Sequence, residues 1–304
     1  MSRKQHKVTF LNPKTCGIYK SGGIRYKTDP ATGKRTEEID NELIEAVDAY
    51  VAGSTSTCRF DVKESAVFAA GVIVPTYYDD RYNQPICGLL RNLDTEGITL
   101  GALLDAKVLT VRGGHGSPGN DQRAGSIPYI KVSDIRAMRM NINPTNLVTS
   151  KVAERFWRGK SSGLQAWDVL TPNRASSNIG EFAIVVPGEE QVVLTKEMFV
   201  FRVVDSSVWD PFYLFWVLCL SAVRDQWRRI ALMQTNREDC GARYREVVVP
   251  LPKSQAWAKN QSDAFRNYFQ TIAKAREEFS AKLSASGLSF IASAPGNDET
   301  EEEG

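Results

Sequence analysis

Gly125-Ser-Ile-Pro-Tyr-Ile-Lys-Val-Ser-Asp-Ile135 is the stretch on which the fold turns. Its apolar, β-branched centre reads as a strand, with Pro128 and Tyr129 setting how it begins and Ser133-Asp134 ending it in a turn or cap. Upstream, Gly113-Gly-His-Gly-Ser-Pro-Gly-Asn-Asp121 reads as a flexible loop, Val108-Leu-Thr-Val-Arg112 as a strand and 99–105 as a helix start. Downstream, strands are expected at 166–170, 182–186 and 197–204, followed by a long helix over 211–233. Arg245-Glu-Val-Val-Val-Pro-Leu-Pro252 then reads as a strand closed by prolines. Together these elements make an α+β chain.

Towards the N-terminus the first forty residues are polar and turn-rich, and 20–36 reads as a hairpin or an exposed arm. Asp40 is expected to cap a helix with Leu43, Ile44, Val47 and Tyr50 on one face. Cys58-Arg-Phe-Asp-Val62 and Val67-Phe-Ala-Ala-Gly-Val-Ile-Val74 both read as strands, with a loop at 77–85. Towards the C-terminus, 254–285 lacks proline and glycine, and Phe265, Ile272 and Phe279 recur every seven residues. That spacing, with Tyr268 beside it, predicts one amphipathic helix able to pair with another helix or to pack on its own domain. The acidic end, Asp298-Glu-Thr-Glu-Glu-Glu-Gly304, reads as disordered.

Composition sets limits on function. The 304 residues carry 38 Lys+Arg against 36 Asp+Glu, which argues against a polybasic protein without excluding a local basic patch. The longest apolar run, 212–223, is far short of the ~20 residues a membrane span needs. Five scattered cysteines without a C-x-x-C pair and only two histidines predict reduced thiols, no metal site and a cytoplasmic setting. No secretory signal follows Met1.

Catalytic signatures fail on their spacing. Gly159-Lys-Ser161 resembles the end of a phosphate-binding loop, but Glu154 occupies the position where that loop needs its first glycine. The glycines of 113–119 lack G-x-G-x-x-G spacing. Asp48 with Asp61-Val-Lys63 is too loose for a nuclease set. The Asp/Asn-Pro-Pro-aromatic tetrapeptide of amino-group methyltransferases has no closer counterpart than Asn12-Pro-Lys-Thr15. An unrecognised site around His115 and Asp121 is the one enzymatic alternative.

Charge placement is more informative. Nine bases but only three acids lie between Arg123 and Asn178, a local excess larger than that of the whole chain. Tyr129, Phe156, Trp157 and several asparagines and serines are interleaved with them. Arginine reads guanine edges, asparagine reads adenine, and lysine or serine binds phosphate. A second cluster, Gln234-Thr-Asn-Arg-Glu-Asp-Cys-Gly-Ala-Arg-Tyr-Arg245, sits on a loop.

Here a family resemblance enters. Gly125–Ile135 resembles the opening signature of the target recognition domain in type I restriction-modification specificity subunits. Asp168-Val-Leu-Thr-Pro-Asn-Arg174 with Asn178-Ile-Gly180, the strand from Met198, the helix from Pro211 and the closing segment 241–252 follow in that family's order. Cys16-Gly-Ile-Tyr-Lys-Ser-Gly-Gly-Ile-Arg-Tyr-Lys-Thr-Asp-Pro30, Ile44-Glu-Ala-Val-Asp-Ala-Tyr50 and Val74-Pro-Thr-Tyr-Tyr78 are similar to the linker after the catalytic domain of N6-adenine DNA methylases.

The resemblance implies a linker or docking region over 1–97, a mixed-sheet target recognition domain over 98–252, a spacer helix over 253–290 and an acidic tail over 291–304. It also implies a non-catalytic specificity subunit of a restriction-modification or related defence system. Such a subunit binds double-stranded DNA and directs a separate N6-adenine methyltransferase, which would hold S-adenosylmethionine and flip the adenine. A restriction or translocase subunit, or a second copy of the chain, is a further expected partner. On charge, the DNA-binding candidates are Arg136, Arg139, Arg155, Arg158, Lys160, Arg174 and Asn178, with Gln234, Asn236 and Arg237 on the neighbouring loop. Phe265, Tyr268, Ile272 and Phe279 are the candidates for pairing with a partner helix. The alternative is an interaction module that binds a methylase without reading DNA.

Overall fold

The computed structural model describes residues 6–174, 178–233 and 238–288, and the chain divides into two compact units at Gln84/Pro85. The first unit runs β1 (Lys7–Leu11), β2 (Tyr26–Thr28), β3 (Arg35–Ile39), α1 (Glu42–Val51), β4 (Arg59–Lys63) and α2 (Glu64–Ala70). β1 pairs antiparallel with β4, and β2 with β3 as the expected hairpin. Arg81 ties the unit together, donating to both oxygens of buried Asp79, to Glu42 and to the Asn12 carbonyl.

Two sequence expectations fail here for identifiable reasons. Asn41, not Asp40, caps α1 by accepting from the Leu43 N–H, because Asp40 is occupied by Thr15 and Arg25. The helix buries Ala46 and Ala49 and leaves Leu43, Ile44, Val47 and Tyr50 exposed, since the small alanines let it lie close to β4. Residues 64–70 are helical rather than extended. Glu64, Ala66, Ala69 and Ala70 lie within or beside the β-branched positions, and Gly71 ends the helix at φ +63° with its N–H on the carbonyls of Val67 and Phe68.

The second unit opens with α3 (Gln84–Leu93), β5 (Gly97–Thr99), α4 (Leu100–Asp105) and β6 (Leu109–Gly113). Then come β7 (Ile127–Ile130), β8 (Ile135–Arg136), β9 (Arg139–Met140), β10 (Leu147–Val148), α5 (Ser150–Trp157), β11 (Val169–Pro172), β12 (Ala183–Ile184), β13 (Val193–Leu194) and β14 (Met198–Val203). The remainder is α6 (Pro211–Cys219), α7 (Ser221–Ile230), β15 (Leu232–Met233), β16 (Glu238–Asp239), β17 (Val248–Pro250) and α8 (Gln255–Ala285). One sheet, in the order β12-β11-β14-β6, is wholly antiparallel. A second, β10-β7-β13, is mixed: β10 pairs antiparallel and β13 parallel with the signature strand β7. The unit is α+β with a mixed sheet and a long last helix.

Its main core gathers Phe201, Phe212, Tyr213, Phe215, Trp227 and Phe269 between the antiparallel sheet and the helices α6, α7 and α8. A second core, including Ile130, Ile135, Leu170, Leu194 and Met198, lies between the two sheets, and a third sits under α5. The single helix expected over 211–233 is broken at Leu220, which is extended at φ −65°, ψ 133°. No glycine or proline marks the break. It redirects the chain so that Val223, Trp227 and Ile230 reach the same core as Phe212 and Phe215.

The expected boundary at 97/98 differs from the observed one because α3 packs Ile86, Leu89 and Leu90 onto the second unit's core. The last helix belongs to that unit too, through buried Ala258 and Phe269. The acidic tail lies outside the described residues. Among the described residues, no helix is long and apolar enough to cross a membrane.

Candidate nucleic-acid interface

The signature residues build a scaffold. Gly125 has φ +147°, and a Cβ there would lie 2.3 Å from the Val148 carbonyl carbon, so only glycine lets this segment cross β10. Ile127, Pro128, Tyr129 and Ile130 are all buried in β7. Asp134 caps the following turn as expected, accepting from the Lys131 N–H at 2.8 Å and from the Ser133 hydroxyl. Asp168 is likewise structural: buried, it takes a two-pronged ion pair from Arg202 at 2.7 Å and 2.7 Å.

Beyond Asp134 the chain makes a tight hairpin, in which β8 and β9 pair Ile135 with Met140 and Arg136 with Arg139. The two connecting residues, Ala137 and Met138, have φ +51° and +65°. Arg136 is exposed but oriented, donating from Nε to the Ser133 carbonyl and from Nη2 to Asn178 Oδ1 at 3.3 Å. Asn178 is only 3 % exposed and donates to the Ile135 carbonyl at 2.8 Å. Its amide thus holds both the hairpin backbone and Arg136.

The mixed sheet also carries α5, capped by Thr149, which accepts from the Val152 N–H. Val152, Ala153, Phe156 and Trp157 face the sheet, and the Trp157 indole donates to the Val192 carbonyl. The opposite face exposes Lys151, Glu154 and Arg155, with Arg158 at the left-handed cap that ends the helix (φ +59°) and exposed Lys160 beyond it. Lys151 was not singled out from the sequence, though the helical spacing carries it. Arg174 forms an ion pair with Glu197. Gln234, Asn236 and Arg237 lie outside the described residues. The remaining candidates fall into two groups, Arg136 and Arg139 on the hairpin and Arg155, Arg158 and Lys160 at α5, and among the described residues no hydrogen bond or ion pair joins the two groups.

The 113–119 loop is pinned rather than loose. The Gly114 N–H reaches the Met198 carbonyl, and those of His115 and Gly116 reach the Leu194 carbonyl. His115 Nδ1 accepts from the Leu194 N–H, so its Nε2 carries the proton donated to the Ser162 carbonyl at 2.8 Å. Burial, with help from the Arg112 charge, pushes its pKa down to about 4. A neutral, doubly bonded imidazole clamps two segments together. Among the described residues no hydrogen bond or ion pair joins His115 to Asp121, and no cluster of metal-ligating side chains occurs.

The proposed partner seam on α8 divides in two. Phe265 and Ile272 pack on the unit's own core, with the rings of Phe265 and Phe269 edge-on to Phe215 at 5.7 Å and 5.4 Å. Tyr268 and Phe279 remain 56 % and 59 % exposed. The core takes the first part of the seam because α6 offers an apolar wall and Asp210 pairs with Arg266 at 2.8 Å. Near Phe279 a cleft of about 810 Å³ separates α8 from Ile130, Met140, Ile142 and Val192, with the Arg276–Glu189 ion pair at its edge.

No family model matches the chain, and no curated protein matches it. Among solved structures it is similar to the HsdS subunit from Thermoanaerobacter tengcongensis, at 16% identity over 63% of this chain and 41% of that one, with a TM-score of 0.36. It is also similar to a type I restriction-modification S subunit from M. genitalium, at 8% identity over 63% and 44%, with a TM-score of 0.38. The type IIG restriction endonuclease BpuSI is similar at 11% identity over 72% of this chain and 32% of that one, with a TM-score of 0.45. The chain spans less than half the length of each.

Proposed function

We propose that this chain is a non-catalytic DNA-recognition component of a restriction-modification or related methylation-based defence assembly. Its second unit binds double-stranded DNA and directs a separate N6-adenine methyltransferase, on which S-adenosylmethionine is held. The observation that carries the reading is the division of labour within 125–160. Residues of the resembling signature are spent on scaffold, while among the described residues Arg136, Arg139, Lys151, Arg155, Arg158 and Lys160 form no ion pair. A cationic surface on a rigid support is what a polyanion requires. Tyr268 and Phe279, on the side of α8 that the core leaves exposed, are the surface for the methyltransferase or for a restriction or translocase subunit. A second copy of the chain is the other candidate there.

Fluorescence anisotropy with a labelled duplex tests this. If about six phosphates are neutralised, log affinity falls with log salt at a slope of about −5. Binding is weak for the chain alone and tightens with an N6-adenine methyltransferase encoded beside it. Absence of duplex binding at low salt, with that enzyme present, would overturn the reading. One observation favours a second reading, a methylase-binding module that ignores DNA: α1 exposes Leu43, Ile44, Val47 and Tyr50 along one side. Methylase capture without any duplex binding is its signature.

A further inference from the structure

The hairpin that follows the signature is built against its own stability. A two-residue connection with both central residues at positive φ is the turn that Asn-Gly fills cheaply. Here alanine and methionine occupy it, at φ +51° and +65°, a conformation costly for any side chain. The strand pair immediately behind the turn is Arg136 opposite Arg139, and like charges directly opposite repel. Elsewhere in this unit guanidinium groups meet carboxylates: Arg174 with Glu197, Arg202 with Asp168, Arg224 with Glu181, and Arg229 with Glu246. At the hairpin Arg136 is instead held by two neutral acceptors, the Ser133 carbonyl and Asn178 Oδ1, and among the described residues Arg139 forms no ion pair. Met138 stands at the tip, 39 % exposed.

We infer that Arg136-Ala137-Met138-Arg139 is a preformed finger that enters the major groove of duplex DNA and selects guanine. This rests on the DNA-recognition reading above and assigns roles within it. A two-stranded ribbon fits the major groove, and a guanidinium fixed in orientation pairs with guanine O6 and N7. Asn178 is the positioning residue: it bonds both the Ile135 backbone and Arg136, so strand and guanidinium move as one body. Met138 supplies apolar contact to a base edge. Lys151 and Arg155 of α5 stand four residues, or about 6 Å, apart, which suits phosphates rather than base edges.

The test is selection of duplexes from a randomised pool by the full chain at low salt, followed by sequencing and anisotropy on the selected sites. Native protein enriches sites containing guanine. Arg139→Gln and Arg136→Gln lower the preference for those sites over random duplex by about five- to 150-fold. The double variant Ala137→Asn/Met138→Gly restores the easy turn, so it keeps or raises the melting temperature and, with both arginines in place, keeps the guanine preference apart from the Met138 contribution. Arg155→Gln weakens all duplexes alike and reduces the salt slope by about 0.9. Asn178→Ser abolishes the further effect of Arg136→Gln, whereas a purely structural Asn178 leaves that effect intact. If native chain binds duplex and the Arg136 and Arg139 variants select the same sites with equal affinity, the finger is wrong and the general reading survives. If native chain binds no duplex at low salt even with the methyltransferase present, both fall.

Discussion

Replacing Phe269 with alanine separates a spacer helix rooted in its own domain from one that waits for a partner. Phe269 is fully buried, its ring edge-on to Phe215 at 5.4 Å, within the core that also holds Trp227 and Tyr213. Deleting a phenylalanine ring from such a site costs about 3–5 kcal/mol, the transfer loss plus the cavity left behind. For a unit of this size that lowers the melting temperature by roughly 6–20 °C, at about 2–4 °C per kcal/mol. All six tryptophans, at 157, 167, 209, 216, 227 and 257, lie in the second unit. Tryptophan emission during urea or thermal unfolding therefore reports this unit without interference from the first. The neighbouring Tyr268→Ala removes an exposed ring and costs under about 1 kcal/mol. Equal losses for the two variants, or a loss under about 1 kcal/mol for Phe269→Ala, would refute docking of α8 on the core.

His115 gives a pH signature. Its folded pKa, about 4, lies below the ordinary value of 6.5, so between those pH values the unfolded chain binds more protons. The stability is present above pH 6.5 and is lost as pH falls towards 4, by about 1 kcal/mol per pH unit. His115→Gln removes that slope relative to native protein, as read from urea midpoints at pH 7 and 4.5; parallel slopes would show that the imidazole is not the responsive group. Gly125→Ala forces a Cβ into the Val148 backbone and destabilises the second unit by about 2–4 kcal/mol, measured by the same emission. An unchanged midpoint would mean that β7 and β10 do not need this close crossing.

Legibility followed the range of the interactions concerned. The helix over 255–285 was plain because a seven-residue recurrence, a serine cap and the absence of proline and glycine all agree locally. The turn at Asp134 was readable for the same reason. The inward face of α1 was not, because Ala46 and Ala49 gain their value only from how closely a neighbour approaches. The break at Leu220 follows from tertiary packing and leaves no local mark. Partners remote in sequence leave no local mark: Glu197 pairs with Arg174, and Asn178 donates to the Ile135 carbonyl. The basic excess of 123–178 was visible, but the part of it that stays exposed emerged only with α5 and the hairpin.

The pairing of β5 with β17 has a consequence for how such a unit travels between chains. Gly97–Thr99 lies antiparallel to Val248–Pro250, the Leu251 N–H reaches the Glu96 carbonyl at 2.8 Å, and the Leu100 N–H reaches that of Val247 at 2.9 Å. The polypeptide enters and leaves at one clasp. Everything from 100 to 247 is a cassette whose two ends are already neighbours, so its replacement leaves the flanking chain with the same distance to span. Because Phe265 and Phe269 of α8 pack on Phe215, a segment exchanged at this clasp has to bring with it the apolar wall that α8 needs.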